Sequence, residues 1–157
     1  NTGATERYGL EVAANYNLGD AWQLQTSFTQ ASYRFSGLED VSDSLKGNDL
    51  PGIPSTQIFM QLEYSTPSAW MFQLTGEHIG RLFANNQNTV AVNAYQKVRF
   101  QTSKGIDLSW GELSFFGGVN NLFDVAYFDN IRLNAFGSRH YEPAPGRNLF
   151  GGLSIGF

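Results

Sequence analysis

Residues Tyr8-Gly9-Leu10-Glu11-Val12-Ala13-Ala14-Asn15-Tyr16-Asn17-Leu18 decide how the rest of the chain is read. The even positions are Tyr8, Leu10, Val12, Ala14, Tyr16 and Leu18, and the odd ones are mostly small or polar. Successive side chains of a strand point to opposite faces, so this stretch is a β-strand with one apolar and one polar face. Gly19-Asp20 then supplies a tight turn. Trp22, Leu24, Thr26 and Phe28 repeat the alternation against Gln23, Gln25, Ser27 and Thr29.

The same period recurs down the chain. Ile58, Met60, Leu62 and Tyr64 oppose Gln57, Gln61 and Glu63, and Trp70, Phe72 and Leu74 oppose Gln73, Thr75 and Glu77. A fifth strand over 93–108 sets Val98 and Phe100 against Lys97, Arg99 and Gln101. Lys104 breaks its parity, and Gly105 predicts a bulge there. A sixth strand carries Leu113, Phe115 and Val119, and a last one ends Leu149, Gly151, Leu153, Ile155, Phe157. The expectation is seven antiparallel strands and no helix.

Composition narrows the class. The 157 residues allow one ordinary domain, and only 15% are charged, with 10 Lys+Arg against 14 Asp+Glu. That balance argues against a basic nucleic-acid binder. The 23 rings (13 Phe, 7 Tyr, 3 Trp) argue against disorder. The absence of cysteine removes disulfides and thiolate sites. No stretch is long and apolar enough for a spanning helix. No signal peptide opens the chain at Asn1, so any export signal is expected to have been removed.

Two features point to a membrane barrel. Connections alternate in length, short at 19–20, 66–68 and 110–111 and long at 36–54, about 84–92, and 124–143. Outer-membrane barrels have short periplasmic turns and long extracellular loops. Trp22, Trp70 and Trp110 all lie beside short turns, with Tyr16, Tyr64 and Phe157 at the same level. Tyr8, Tyr33, Phe35, Phe83 and Tyr95 fall at the opposite strand ends, which predicts a second interfacial girdle. Seven strands leave two open edges, and an unpaired backbone group in hydrocarbon costs several kcal/mol. The fold expected is therefore an all-β, up-and-down transmembrane barrel of which 1–157 is one part.

The last 40 residues carry a resemblance. Asn121-Leu122-Phe123-Asp124 followed by Tyr127, then Tyr141-Glu142-Pro143-Ala144-Pro145-Gly146-Arg147, then a strand ending in Phe157, resembles the C-terminus of TonB-dependent outer-membrane receptors. Arg7-Tyr8-Gly9-Leu10-Glu11 resembles an earlier strand of the same barrels. Pro51-Gly52-Ile53-Pro54 and 85–95 are similar to the siderophore and ferric-citrate branch. The resemblance implies seven C-terminal strands of a 22-stranded barrel with a plugged lumen. The plug and the box gripped by TonB are not in this segment. It also implies uptake of a ferric chelate driven by the TonB complex, contact with lipid and lipopolysaccharide, and Phe157 as a signal to the outer-membrane assembly machinery. Pro143 and Pro145 are expected at the entry to the last strand, where a missing N–H is tolerated. Gly146 is expected to supply an unusual backbone angle.

Other constellations read more plainly. Gly152-Leu153-Ser154-Ile155-Gly156 matches a nucleophile elbow, but that chemistry needs an acid and a histidine after the serine, and only Phe157 follows. No enzyme activity, cofactor or metal is expected. His78 and His140 are the only histidines and read as polar residues near loops. Glu39, Asp40, Asp43 and Asp49 make an acidic loop, read first as solvated. Glu11, Asn15, Gln25, Gln57, Gln61, Glu63, Gln73, Thr75, Glu77, Arg99 and Gln101 form a polar wall that the resemblance turns toward the plug. Ligand contact is expected nearer the extracellular ends, at Arg81, Asn85, Asn88 and Arg139, because guanidinium binds carboxylates bidentately. Two other readings compete: a complete eight-stranded barrel acting as adhesin or lipid-modifying enzyme, and a soluble ligand-binding barrel.

Overall fold

A computed structural model describes residues 4–37 and 43–157. The strands are β1 (Ala4–Leu18), β2 (Trp22–Gly37), β3 (Thr56–Ser65), β4 (Trp70–Ile79), β5 (Leu82–Phe83), β6 (Ala91–Val92), β7 (Tyr95–Leu108), β8 (Gly111–Asn120), β9 (Phe128–Ile131), β10 (Tyr141–Pro143) and β11 (Asn148–Gly156). Seven of them form one sheet in the order β1-β2-β3-β4-β7-β8-β11, every pair antiparallel. These are the seven expected strands. The two short pairs β5/β6 and β9/β10 are hairpins inside long connections.

The register turns alternation into two faces. One row across all seven strands reads Tyr16, Leu24, Leu62, Leu74, Phe100, Val119, Leu149. The next row reads Asn17, Gln23, Glu63, Gln73, Gln101, Gly118, Phe150 and projects from the opposite face. A water-soluble sheet would bury its apolar row under a second layer. Here the row is bare: Leu10 is 57% exposed, Tyr16 61% and Leu153 74%. Among the described residues the buried apolar side chains are Phe35, Leu45, Ala84 and Val92, all at the long-loop end. An uncovered apolar face of this extent needs a non-aqueous neighbour.

Two hydroxyls on that face are satisfied locally, whereas Ser32 Oγ, opposite Tyr8, is buried without a hydrogen-bond partner among the described residues. Thr26 Oγ1 donates to Phe59 O and Thr102 Oγ1 to Met71 O, each at 3.0 Å across to the neighbouring strand. The short-turn end carries a belt of rings on the apolar face. Trp22 stacks on Tyr64 at 4.4 Å, Tyr64 on Phe72 at 6.3 Å, Trp70 meets Phe115 edge-on at 5.5 Å, and Trp110 meets Phe157 at 6.0 Å. The first expected girdle is therefore present.

The second is not. Tyr8 projects from the apolar face, but Tyr33 pairs with Arg7 and Tyr95 with Ile79, on the polar face. Phe35 is buried and Phe83 belongs to a loop hairpin. Height along the strand had suggested a ring, whereas parity decides the face. The bulge expected at Gly105 is also absent, since the β7/β8 ladder runs unbroken from Lys104↔Phe115 to Ile106↔Leu113. Lys104 stays on the apolar face, with Nζ 5.1 Å from the Trp70 ring centre. A long stem with a cationic head over an indole suits an interfacial position.

Candidate functional site

The long connections meet at one end and are laced together, largely by asparagines. Asn85 folds its own loop: its Oδ1 accepts from Thr89 N and Val90 N, and its Nδ2 donates to Thr89 Oγ1 at 2.7 Å. Asn88 joins that loop to the first, its Oδ1 accepting from Asp49 N at 2.7 Å and its Nδ2 donating to Asp49 O. Asn48 Nδ2 donates to Asn86 O, and Asn134 Oδ1 accepts from Asn86 N, which brings in the third loop. Gly52, at φ 80°, donates its N–H to Phe83 O and lies against Leu133; an added Cβ would fall 2.9 Å from Leu133 Cδ1. Three segments distant in sequence thus form one platform.

The Asn121–Asp124 segment is the corner that leaves β8. Asn121 and Asp124 both take left-handed φ, 50° and 55°, which short polar side chains tolerate best. Asn121 is buried, with Oδ1 accepting from Val125 N and Nδ2 donating to Val125 O, both at 2.9 Å. Leu122 N donates to Val98 O, while Phe123 faces outward, 69% exposed. Asp124 reaches across to the entry of β11, where its Oδ1 accepts from Arg147 N at 2.7 Å. A Cβ on Gly146 would lie 2.9 Å from that oxygen. Gly146 is thus required for close approach; it is not among the glycines with positive φ, and the unusual angle expected there is not found. Pro143 ends β10 opposite Phe128 instead of opening the last strand, and Pro145 lies in the connection to β11.

Below this corner the polar face opens into a cavity of about 380 Å³. Glu77, Lys97, Arg99, Asp129, Tyr127 and Asn148 are among its lining residues. Lys97 Nζ lies 3.2 Å from Glu77 Oε2 and 5.6 Å from the Tyr127 ring centre, and Tyr127 stacks on Tyr95 at 4.9 Å. Arg99 sits 4.6 Å over the Phe150 ring. Two acids and two bases leave the cavity without net charge, so it suits hydrogen-bonding and zwitterionic contacts rather than capture of a strong anion. Phe116 and Phe150 are the surprise on this face. Their even positions, opposite in parity to Phe115 and Leu149, were the available signal.

Of the four expected ligand residues, Asn85 and Asn88 are bonded to each other within one loop, Asn88 N donating to Asn85 O at 3.1 Å. Arg81 lies on the second loop with Cζ 4.7 Å from the Phe83 ring, and Arg139 is exposed on the third loop past the turn Phe136–Ser138. The Asn85 and Asn88 amides are engaged in loop fastening, as described. His140 is buried and its Nδ1 donates to Arg132 O at 3.1 Å, while His78 Nδ1 accepts from Gln96 Nε2 at 3.2 Å. Among the described residues no group of three or more His, Cys, Asp or Glu could hold a metal ion. Ser154 lies within β11, paired with Ser114, not at a strand-to-helix turn. Glu39, Asp40 and the side chain of Asp43 lie outside the described residues; Asp49 pairs with Arg34 at 3.1 Å.

The β9/β10 hairpin of the third loop carries a pH-sensitive clasp. Glu142 accepts from Asn130 Nδ2 at 3.1 Å and from Arg132 Nε at 2.6 Å. These two donors and the guanidinium charge hold its carboxyl below the ordinary 4.5. A depressed carboxylate stabilises the fold above its unfolded value and loses that contribution as pH falls through the lowered one. Amide-exchange protection of 128–143 should therefore be flat from pH 7 to 5 and drop below 4.5. In Glu142→Gln the drop should vanish, with protection already reduced at pH 7. A wild-type profile flat down to pH 3 would contradict the clasp.

A family model described as "TonB dependent receptor-like, beta-barrel" matches residues 1–122. The chain belongs to the TonB-dependent receptor-like β-barrel family. Solved structures similar to this TonB-dependent receptor barrel segment include the ferric citrate transporter FecA (TM-score 0.84, 21% identity, 98% of this chain and 24% of that one). The siderophore receptor PiuA from Acinetobacter baumannii also matches (TM-score 0.78, 19% identity, 98% and 22%). The copper transporter OprC matches as well (TM-score 0.70, 20% identity, 98% and 24%). The chain spans about a quarter of the length of these proteins. At such identities they establish the fold, and the fit extends past Leu122 to the Asp124–Arg147 corner and β11.

Proposed function

We propose that residues 1–157 are the C-terminal part of the barrel of an outer-membrane TonB-dependent transporter that imports a ferric siderophore or similar metal chelate. One observation carries the reading: a seven-stranded meander with a bare apolar face, a ring-belted short-turn end and a laced platform of long loops. Such a sheet has unpaired edges at β1 and β11, so the remaining strands and a plug complete the pore. The same edges count against a complete small barrel. The related structures are named for ferric citrate, siderophores and copper, so the fold by itself leaves the cargo open.

The chain mass is a direct test. Seven strands weigh 17.4 kDa, so a 22-stranded barrel built alike weighs about 55 kDa before any plug. An immunoblot of outer membranes against the third loop should show a band well above that, rising under iron limitation. A band near 17 kDa would defeat the transporter reading.

Arg81 and Arg139 are the proposed ligand contacts, both exposed on the loop platform. Arg81→Ala and Arg139→Ala in the intact receptor should each weaken binding of a carboxylate-rich ferric chelate such as ferric citrate. About tenfold is expected for one charge-assisted contact. Titration of both variants with unchanged affinity would remove these residues from the site.

A further inference from the structure

We propose that two cavities under the third loop are the halves of one binding site for an elongated, amphipathic chelate, and that the Tyr127 ring is the gate between them. The inference rests on the transporter reading above and adds to it the shape of the ligand and the control of its entry. One cavity, of about 380 Å³, lies against the sheet below the Asn121–Asp124 corner. A second, of about 350 Å³, lies on the loop side of it. The floor of the second is the polar-face row Gln57, Ile79, Tyr95, and Leu82, Val92 and Leu133 are among its walls. The floor of the first holds the next two rows, Glu77 beside Lys97 and Thr75 beside Arg99. Rows on one face of a sheet are two residues apart, about 7 Å, so the cavities adjoin. Asp129 lines both.

The division between them is one stacked pair of rings. Tyr127, which lines the wall-side cavity, lies 4.9 Å from Tyr95, which lines the loop-side one, and Lys97 Nζ is 5.6 Å from the Tyr127 ring centre. A ring in a packed core is held by atoms on every side. This pair has a cavity above it and another below. The backbone of Tyr127 is fixed separately, its carbonyl accepting from Ala144 N at 3.0 Å. A turn of the side chain to another rotamer therefore opens the passage and leaves the loop in place. The stack and the cation contact are each weak enough for a ligand to replace. The joined space is of the size that holds a whole drug-sized ligand. Its ends differ in chemistry. The loop side is aliphatic, whereas Glu77, Lys97, Arg99, Asn120 and Asn148 on the wall side offer donors and acceptors. A compact polyanion such as ferric citrate matches neither end, and its contacts are the exposed Arg81 and Arg139. An elongated chelate with methylene and amide groups matches both.

The test uses the full-length receptor on whole cells, in a background without other cysteines, labelled from outside by a maleimide too bulky for porins. Gln57→Cys reports on the loop-side cavity and Thr75→Cys on the wall-side one. Gln57→Cys should label at one rate with Tyr127, Tyr127→Phe or Tyr127→Ala, which also shows that each variant has folded. Thr75→Cys should label about tenfold faster with Tyr127→Ala than with Tyr127, the effect of removing one stacked ring. Tyr127→Phe keeps the ring and should match the wild type. Excess ferrioxamine B, a linear hydroxamate chelate with amide and methylene arms, should slow labelling of Thr75→Cys about tenfold, the effect of near-saturating occupancy. Ferric citrate should leave it unchanged. Labelling of Thr75→Cys at the same rate with Tyr127 and with Tyr127→Ala would overturn the gate. Protection by ferric citrate, or no protection by ferrioxamine B, would overturn the amphipathic occupant. The transporter reading fails differently, through an immunoblot band at the mass of this segment alone, so the two failures are distinguishable.

Discussion

Gly118→Val should prevent the barrel from assembling. Gly118 pairs with Gln101 of β7 on one side and Phe150 of β11 on the other. A Cβ at this position would fall 2.3 Å from Phe100 O and 2.6 Å from Phe150 Cζ. The ring could rotate away, but the carbonyl belongs to the β7/β8 ladder and could move only by breaking it. Overpacking of this kind costs about 3 kcal/mol or more, and in a barrel the damage falls on a seam where backbone groups need ladder partners. In the full-length receptor the expected result is loss of the compact, heat-modifiable form on unboiled gels. Gly117→Ala is the control, because its Cβ on the other face meets only Phe150 O at 3.6 Å. A Gly118→Val receptor that remains heat-modifiable at wild-type level would show that the seam yields more easily than argued.

Asn121→Ala should give the second large effect. The substitution leaves Val125 N–H and C=O without the side chain that serves both, in a buried corner. It also places alanine at φ 50°. The two losses together are worth about 2–4 kcal/mol. Asn121→Gly keeps the backbone angle accessible and loses only the amide contacts, so it should recover roughly a third to a half of the deficit. Asp124→Asn retains an oxygen for Arg147 N and should lose about 1 kcal/mol or less. Urea unfolding of the full-length receptor in detergent would rank the three. Asn121→Gly as unstable as Asn121→Ala would mean that strain contributes nothing and the amide everything.

These variants share a location that clarifies the Asn-Leu-Phe-Asp motif. It is a structural corner: Asn121 closes the turn, Leu122 extends the ladder to Val98, and Asp124 holds the strand entry at Arg147. Gly146 is small because the Asp124 carboxylate occupies its side-chain space. The Pro-Ala-Pro-Gly-Arg segment is the other half of the same junction. The contacts named for this junction are structural, and the residues proposed for ligand contact, Arg81 and Arg139, lie on the loops.

What the amino-acid sequence determined by itself is the sheet. Strand side chains alternate with period two whatever surrounds them, so the rows ending in Leu149 and Phe150 could be assigned to opposite faces by counting alone. The short-turn tryptophans were legible for the same reason, since local alternation and turn residues fix both their face and their height. Parity could also have turned Tyr33 and Tyr95 to the polar face, had it been weighed above their position at the strand ends. Contacts between segments distant in sequence were decided only by the tertiary structure. Asn86 meets Asn134 across 48 residues, Gly52 lies under Leu133, and Gly146 stands against Asp124. Gly76 likewise meets Met60 and Val98 only because β3 and β7 arrive on either side of it. Local periodicity constrains a residue's face, whereas the neighbour it meets there depends on register and loop path, which the fold settles as a whole.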